Sequence, residues 1–390
     1  MSDDCDLPVA IRDALAAAWG FGPRAEISPL GNGLINRTLL VRDEDGRRHV
    51  LQCLNTHVFR DPALVMRNCR VVTAHLGRER AVGRYGYSVL ELVPTRAGDP
   101  AAVMSDGSWW RMYGHVPDTH TFDIASGTAM TREAGRAFGA FAMALASLPA
   151  GEVVEVIPKF HDPVSRFYAY RSALRADRAA RAAHCREECE AAARFAGLLP
   201  HWQQLLQRGL PLRITHNDCK LNNLLFDAKG RAACVVDLDT VMPGSLLFDF
   251  GDMARTMLSP MAEDSTELPR VCARHDYFEA LAGGYVEGCG ALLSPLERGN
   301  LLFGARLITG VVALRFLADH LDGDRYFRVT HPGHNLERAR NQLKLFEALA
   351  SDAETLQALV PGATEITSTD VRAGAGIPVP HRGPWRGRDA

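Results

Sequence analysis

The chain has 390 residues, 47% hydrophobic and 23% charged, an ordinary globular composition with enough length for a large core and more than one lobe. A formal net charge of −2 argues against nucleic acid or a membrane surface as the main partner. Nine cysteines, an odd number spread along the chain, fit reduced thiols better than a disulfide framework.

The opening MSDDCDLPVA is acidic and lacks the basic and apolar regions of a secretory signal. No uninterrupted apolar run reaches the ~20 residues needed to cross a bilayer. The expectation is a soluble, cytoplasmic protein with no membrane partner.

Residues 1–20 have the pattern of an amphipathic helix. EISPL, RTLLVRD and RRHVLQCL then read as short strands, the first two joined by a turn at Gly31-Asn32-Gly33 and the next two by EDG. DPALVMRNCRVVTAHL reads as a helix with Asp61 as N-cap and Pro62 at its first position. GYSVLELVP and SWWRMYGHV are further strands. After His120 the signal turns helical, in TREAGRAFGAFAMALASL and in the long stretch from Ser165 to Leu198. NNLLFDA and RAACVVDL interrupt it as a strand pair, and helical patterns then run to about residue 352. The tail from about Gly362 is rich in Gly, Pro and Arg and reads as poorly ordered. A small lobe of sheet plus helix over 1–115, a larger mainly helical lobe over 116–361 and a tail over 362–390 are expected, with a hinge near Met112–Pro117.

The strongest chemical signal is ITHNDCKLNN, residues 214–223, of the form H-x-D-x-x-x-x-N. Phosphoryl transfer uses such a pair directly: Asp218 accepts the proton of the attacking hydroxyl, and the amide oxygen of Asn223 holds a magnesium ion. Lys220 can offer positive charge to the transferring phosphate. CVVDLDT follows, placing Asp237 after a short buried strand, where a kinase-like fold needs its main metal-binding carboxylate. His216 reads as a brace of the loop rather than a participant in the chemistry. Asn222 reads as solvent-facing or structural. Asp239 is open between substrate contact, second metal contact and local capping. Gly31, Asn32 and Gly33 can bring backbone N–H groups close to nucleotide phosphates, although no G-x-x-x-x-G-K-[ST] phosphate loop occurs. His184, Cys185 and Cys189 form the one tight His/Cys group, and without a second half they read as thiols on a helix.

These residues carry a resemblance. ITHNDCKLNN, VVDLDTVMPGSLLFDFGD and LGNGLINRT are similar to the aminoglycoside phosphotransferase and choline kinase superfamily. LQCLNTHVFRDPALVMRN, FHDPVSRF and LRFLADHLDGDRYF resemble its N-acetylhexosamine 1-kinases, the likeness spanning roughly residues 28 to 350. The resemblance implies an α+β, bilobal protein-kinase-like fold, with an antiparallel sheet plus helix in the small N-lobe and a larger mainly helical C-lobe. It also implies ATP, Mg2+ and a sugar 1-phosphate product. It assigns Asp218 as base, Asn223 and Asp237 as metal ligands, and Arg315 as a sugar or phosphate contact, where the bare sequence offers an arginine in an apolar helix in need of a partner. Asp249 is expected to brace the catalytic loop. Adenine is expected against Tyr113, Gly114, His115 and Val116. One departure stands out. Gln52 lies where most kinases carry the lysine that contacts the α/β-phosphates, and the next helix has no clear glutamate partner, Asn68 being the nearest polar residue. The rivals are an aminoglycoside kinase, which wants an acidic pocket for its polycationic substrate, and a non-catalytic nucleotide-binding scaffold, for which Gln52 is the one argument.

Overall fold

The structure, a computed structural model, describes residues 7–31, 35–149 and 151–363. Asn32 and Gly33 of the expected phosphate turn, and the tail from residue 364, lie outside the described residues.

The N-terminal part is built on a helix and a sheet. Helix α1 (Val9–Trp19) precedes β1 (Glu26–Pro29), β2 (Arg37–Arg42) and β3 (Arg48–Cys53), and helix α2 (Pro62–Ala81) precedes β4 (Leu92–Val93), β5 (Ala102–Val103) and β6 (Trp109–Gly114). The strands make one antiparallel sheet in the order β1-β2-β3-β6-β4, with β5 also on β6. Ile11 and Leu15 of α1 bury against Leu39, Val41, Leu51 and Met112 of the sheet, a small core of its own. α2 starts as its sequence dictates, with Asp61 accepting the Leu64 N–H at 3.1 Å and Pro62 inside the first turn. Its apolar face (Val65, Cys69, Val72, Leu76) joins the main core of the helical lobe, so α2 belongs to both lobes.

The rest is mainly helical. α3 (Thr128–Leu145), α4 (Pro163–Ala176), α5 (Arg186–Ala193) and α6 (Leu199–Gln207) precede the catalytic segment, and α7 (Leu246–Met257), α8 (His275–Cys289), α9 (Pro295–Arg298), α10 (Leu301–Asp322), α11 (His334–Ser351) and α12 (Ala353–Ala358) follow it. Short strands lie between: β7 (Thr119–His120), β8 (Arg213–Thr215), β9 (Leu224–Asp227), β10 (Ala232–Val235) and β11 (Met242–Gly244). α10 has the length and composition of a membrane span, yet it is the buried centre of the lobe, and burial on all sides explains its uniform apolarity. α3 and α8 approach until glycines meet backbone: a Cβ on Gly284 would lie 2.0 Å from Arg132 O, and one on Gly139 2.8 Å from Tyr285 O.

Two expectations need correction. The stretch from Ser165 to Leu198 is not one helix. Asp177 turns left-handed (φ 36°), and its carboxylate accepts the N–H groups of Arg181 and Ala182 at 2.8 and 3.0 Å, an alternative to continuing α4. GYSVLELVP yields only the two residues of β4, because Ser88 N–H bonds Ala233 O at 2.8 Å and draws the first half of the segment toward β10.

Candidate active site

Two antiparallel pairings frame the site. Thr215 of β8 pairs with Met242 of β11, and Leu224 of β9 pairs with Val235 of β10. The loops 216–223 and 236–241 therefore face each other between the two pairings, which is what brings Asp218, Asn223 and Asp237 together.

The loops are stitched by groups that do no chemistry. His216 Nε2 donates to Val236 O at 2.9 Å, while its Nδ1 accepts the Asp218 N–H at 3.3 Å, an arrangement only the neutral ring can make. Burial lowers its pKa, in keeping with that form, and its ring packs edge-on against Phe138 and Phe141 of α3. Asn217 is left-handed (φ 62°), its amide bonded to Thr240 O at 3.0 Å and Met242 O at 3.2 Å. The fully buried Asp249 at the start of α7 accepts the N–H groups of Asn217 and His216 at 2.7 and 3.1 Å. His161 closes the far side, with Nε2 donating to Asn217 O at 2.7 Å. Burial and the neighbouring Arg315 push its pKa down to about 3, so it stays neutral.

The candidate catalytic and metal-binding residues lie inside this frame. Asp218 Oδ2 sits 3.2 Å from Lys220 Nζ and accepts the Asn223 amide at 2.8 Å. Burial pushes the Asp218 carboxyl up, but Lys220, His216 and Arg255 outweigh it and hold it below the usual carboxylate value. Burial likewise works against the charge on Lys220, and Asp218, Asp237 and Asp252 more than restore it. Asp218 is thus an ionised acceptor of protons beside a fixed cation. Asp237, left-handed at φ 58°, is the reverse case: burial, then Asp239 and Asp218, push it up to about 7. A carboxylate so disfavoured as an anion fits a hard divalent cation. With the Asn223 nitrogen committed to Asp218, its oxygen is the acceptor left for the same ion. Among the described residues no group of three or more His, Cys, Asp and Glu side chains gathers as a metal site, and Cys185 and Cys189 only approach each other, at 3.9 Å.

Behind the catalytic loop lies a cavity of about 360 Å³ whose lining includes Arg166, Arg315, Tyr326 and Phe327. Asp218 does not line it. The link runs through Phe160, whose ring lies 4.7 Å from the Arg315 guanidinium, and through its neighbour His161. Arg166 donates to Phe160 O at 2.8 Å, and Arg315 is ringed by Phe160, Tyr326 and Phe327. Burial and the charge of Arg315 lower the Arg166 pKa to about 10.

Residues 26–284 match the APH phosphotransferase enzyme family. The chain belongs to that family. Solved structures agree in fold. It is similar to the amicoumacin kinase hAmiN in complex with AMP-PNP, Ca2+ and Ami, at 13% identity and a TM-score of 0.58 over 86% of this chain and 92% of that one. It is similar to the microcompartment-associated aminopropanol kinase, at 14% identity and 0.57 over 90% and 98%. It is also similar to a choline/ethanolamine kinase family protein from Mesorhizobium loti, at 19% identity and 0.53 over 90% and 97%.

For an APH-family phosphotransferase the other expected residues fall as follows. Asp218, Lys220, Asn223 and Asp237 meet in one place. Gly31 follows β1 in a left-handed conformation (φ 70°). The Tyr113 side chain is buried, so only its backbone can line the cleft, together with His115 and Val116, whose carbonyl accepts the Thr119 hydroxyl at 2.9 Å. Gln52 is occupied: its nitrogen donates to Thr38 Oγ1 at 3.1 Å, and its oxygen accepts Arg111 Nε and Nη2 at 3.0 and 2.8 Å. Asn68 partners the backbone instead, bonding Val154 O at 2.7 Å and Val241 O at 3.3 Å. Asn222 bonds the surface residue Asp123 at 3.1 Å. Asp239, expected as a substrate contact, is buried with Oδ1 on Arg111 and Oδ2 taking the Asn36 amide at 2.6 Å, so both its oxygens are engaged within the protein. Arg315 makes no ion pair among the described residues; aromatic faces are the partner its sequence context called for. Sequence reasoning missed Arg111, His161 and Arg166. Arg111 had a signal, a charge inside a strand of large apolar residues, but its register against Gln52 had to be known first.

Proposed function

We propose that this phosphotransferase is an ATP- and Mg2+-dependent anomeric kinase of the cytoplasm that phosphorylates the 1-hydroxyl of an N-acetylhexosamine, GlcNAc or GalNAc. The observation that carries the reading is the cavity behind the catalytic loop. Of its three lining arginines, Arg178 pairs with Asp322, while Arg166 and Arg315 make no ion pair among the described residues; Asp319 lines it too, and aromatic rings surround Arg315. The two guanidinium groups without an ion pair work against a polycation such as an aminoglycoside and suit a sugar, whose ring stacks on aromatics and whose hydroxyl and acetamido oxygens accept from arginine. The resemblance of LRFLADHLDGDRYF and FHDPVSRF to N-acetylhexosamine 1-kinases points the same way.

In this reading residues 1–115 bind the nucleotide, Gly31-Asn32-Gly33 lies over its phosphates, and the backbone of Tyr113 to Val116 faces adenine. Asn223 and Asp237 hold the magnesium ion. When bound, the ion neutralises charge on the transferring phosphoryl group. Asp218 orients the acceptor hydroxyl and takes its proton as the oxygen–phosphorus bond forms and the γ-phosphate leaves ADP. Lys220 keeps Asp218 ionised and presents positive charge beside the reacting oxygen. An anomeric hydroxyl is more acidic than an ordinary alcohol and suits a base whose pKa is depressed.

The test is phosphorus NMR of the protein with ATP, Mg2+ and, separately, GlcNAc, GalNAc, glucose, galactose, choline and kanamycin, with Asp218→Asn alongside. A sugar 1-phosphate that is lost in the variant is expected. Phosphate on kanamycin or choline would keep the chemistry and discard the substrate. ATP binding with no transfer to any acceptor would favour the scaffold.

A further inference from the structure

Thr38, Gln52 and Arg111 are directly opposed on three neighbouring strands, Thr38 against Gln52 across β2–β3 and Gln52 against Arg111 across β3–β6. Their side chains therefore share one face and form a continuous row, from the Thr38 hydroxyl through both ends of the Gln52 amide to the Arg111 guanidinium. The row ends on Asp239. Arg111 is fully buried and Asp239 is 2% exposed. Around that carboxylate the small lobe builds a closed cage: Arg111 Nη1 and the Cys69 thiol on Oδ1, the Asn36 amide on Oδ2. Asn36, just before β2, is in turn fixed by the Asn55 N–H at 3.0 Å.

Asp239 is two residues from Asp237, in the same tight turn (Leu238–Thr240), with the buried Leu238 between them. The turn begins from the left-handed Asp237, so holding Asp239 fixes where the Asp237 carboxylate points. A buried ion pair is weak evidence for net stability, and its best-attested use is to fix one arrangement against others. Arg111 has no exposed surface through which to touch a phosphate.

We propose that Arg111 is a positioning residue for the cation-binding carboxylate. The positive charge that Gln52 lacks sits one strand away, and it acts by holding the Asp237 turn against the sheet rather than by meeting the nucleotide. This rests on the reading above that Asp237 holds the divalent cation.

The experiment uses the full chain and a fluorescent ATP analogue, measuring nucleotide affinity by anisotropy with and without Mg2+, and thermal unfolding in parallel. Arg111→Gln and Asp239→Asn alone should each lower the melting temperature, because each leaves one buried charge unpaired. The double variant removes both charges and should recover most of that loss. Its Mg2+-dependent nucleotide affinity should nevertheless stay at least ~10-fold weaker than wild type, the scale of an outer-shell partner's effect on a metal site. Gln52→Leu keeps both charges but removes the bonds to Arg111 and to the Thr38 hydroxyl. It should lower the melting temperature, because two buried Arg111 N–H groups lose their acceptor, and weaken Mg2+-dependent binding more than Mg2+-free binding; it carries the test should the double variant fail to fold. A double variant that recovers both stability and Mg2+-dependent affinity, or a Gln52→Leu that weakens Mg2+-free binding equally, would overturn the proposal. Mg2+-independent binding by the wild-type protein would instead sink the reading of Asp237 on which it rests.

Discussion

Asp249→Asn tests how the catalytic loop is held. The wild-type carboxylate is fully buried and accepts two backbone N–H groups, from Asn217 at 2.7 Å and His216 at 3.1 Å, one on each oxygen. Asparagine keeps one acceptor and turns the other into a donor facing a donor, so one N–H is left buried and unpaired. A hydrogen bond to a charged acceptor contributes about 1.5–3 kcal/mol, and an orphaned buried donor costs about 1–3 kcal/mol more. Part of this is returned, because burial pushes the Asp249 carboxyl up to about 7 and a neutral side chain escapes that penalty. The expected net loss is about 2–3 kcal/mol, measured by urea unfolding. The same two N–H groups fix the left-handed Asn217 next to Asp218, so kcat should fall by about two orders of magnitude while the nucleotide KM changes little. A variant within about 0.5 kcal/mol of wild type, with kcat within about twofold, would refute the argument that these bonds set the base.

Three further outcomes are expected. Burial, Asp239 and Asp218 hold Asp237 up at about 7, so protons and the divalent cation compete for it: apparent cation affinity, titrated through activity and nucleotide binding, should weaken about tenfold between pH 8 and pH 6, and a flat profile would remove Asp237 from the site. The cation-free protein should show the opposite sign, since a carboxyl raised on folding makes stability fall as pH rises through the window from about 4 to about 7. At the α3–α8 crossing, Gly284→Ala should cost about 3 kcal/mol, because its Cβ would lie 2.0 Å from the Arg132 carbonyl, a backbone atom. Gly283→Ala, which meets only the mobile end of the Arg132 side chain at 2.8 Å, should be tolerated; equal effects at both positions in thermal unfolding would refute the close-packing account.

What the sequence disclosed depended on how far apart the cooperating residues lie. Asp218 and Asn223 share one loop, so their spacing alone announces them, and the hairpin β9–β10 returns the chain to Asp237 soon after. The N-cap of α2 was legible for the same reason, since Asp61 meets a backbone group three residues on. The break after α4 was not, because Asp177 is an unremarkable helix residue until its side chain captures the N–H groups beyond it. Arg111 and Asp239 are 128 residues apart and come from different lobes, and neither makes sense alone: one is a charge in an apolar strand, the other a second carboxylate two residues from Asp237.

Arg315 shows the same limit from the other side. The sequence demanded a partner for a charge in an apolar helix. The fold supplies aromatic faces, from Phe160 far upstream and from Tyr326 and Phe327 just beyond the helix, and among the described residues no carboxylate pairs with the guanidinium at the cavity wall. Gln52 belongs to this argument as well. Read by position, it marks a kinase-like chain that has lost its lysine. Read by register, it is the middle of a row that delivers an arginine to the turn carrying Asp237. Charge can pass from one strand to its neighbour without disturbing the sheet, because directly opposed side chains reach nearly the same volume. A motif defined along one strand records the residue that is absent and cannot see the charge beside it.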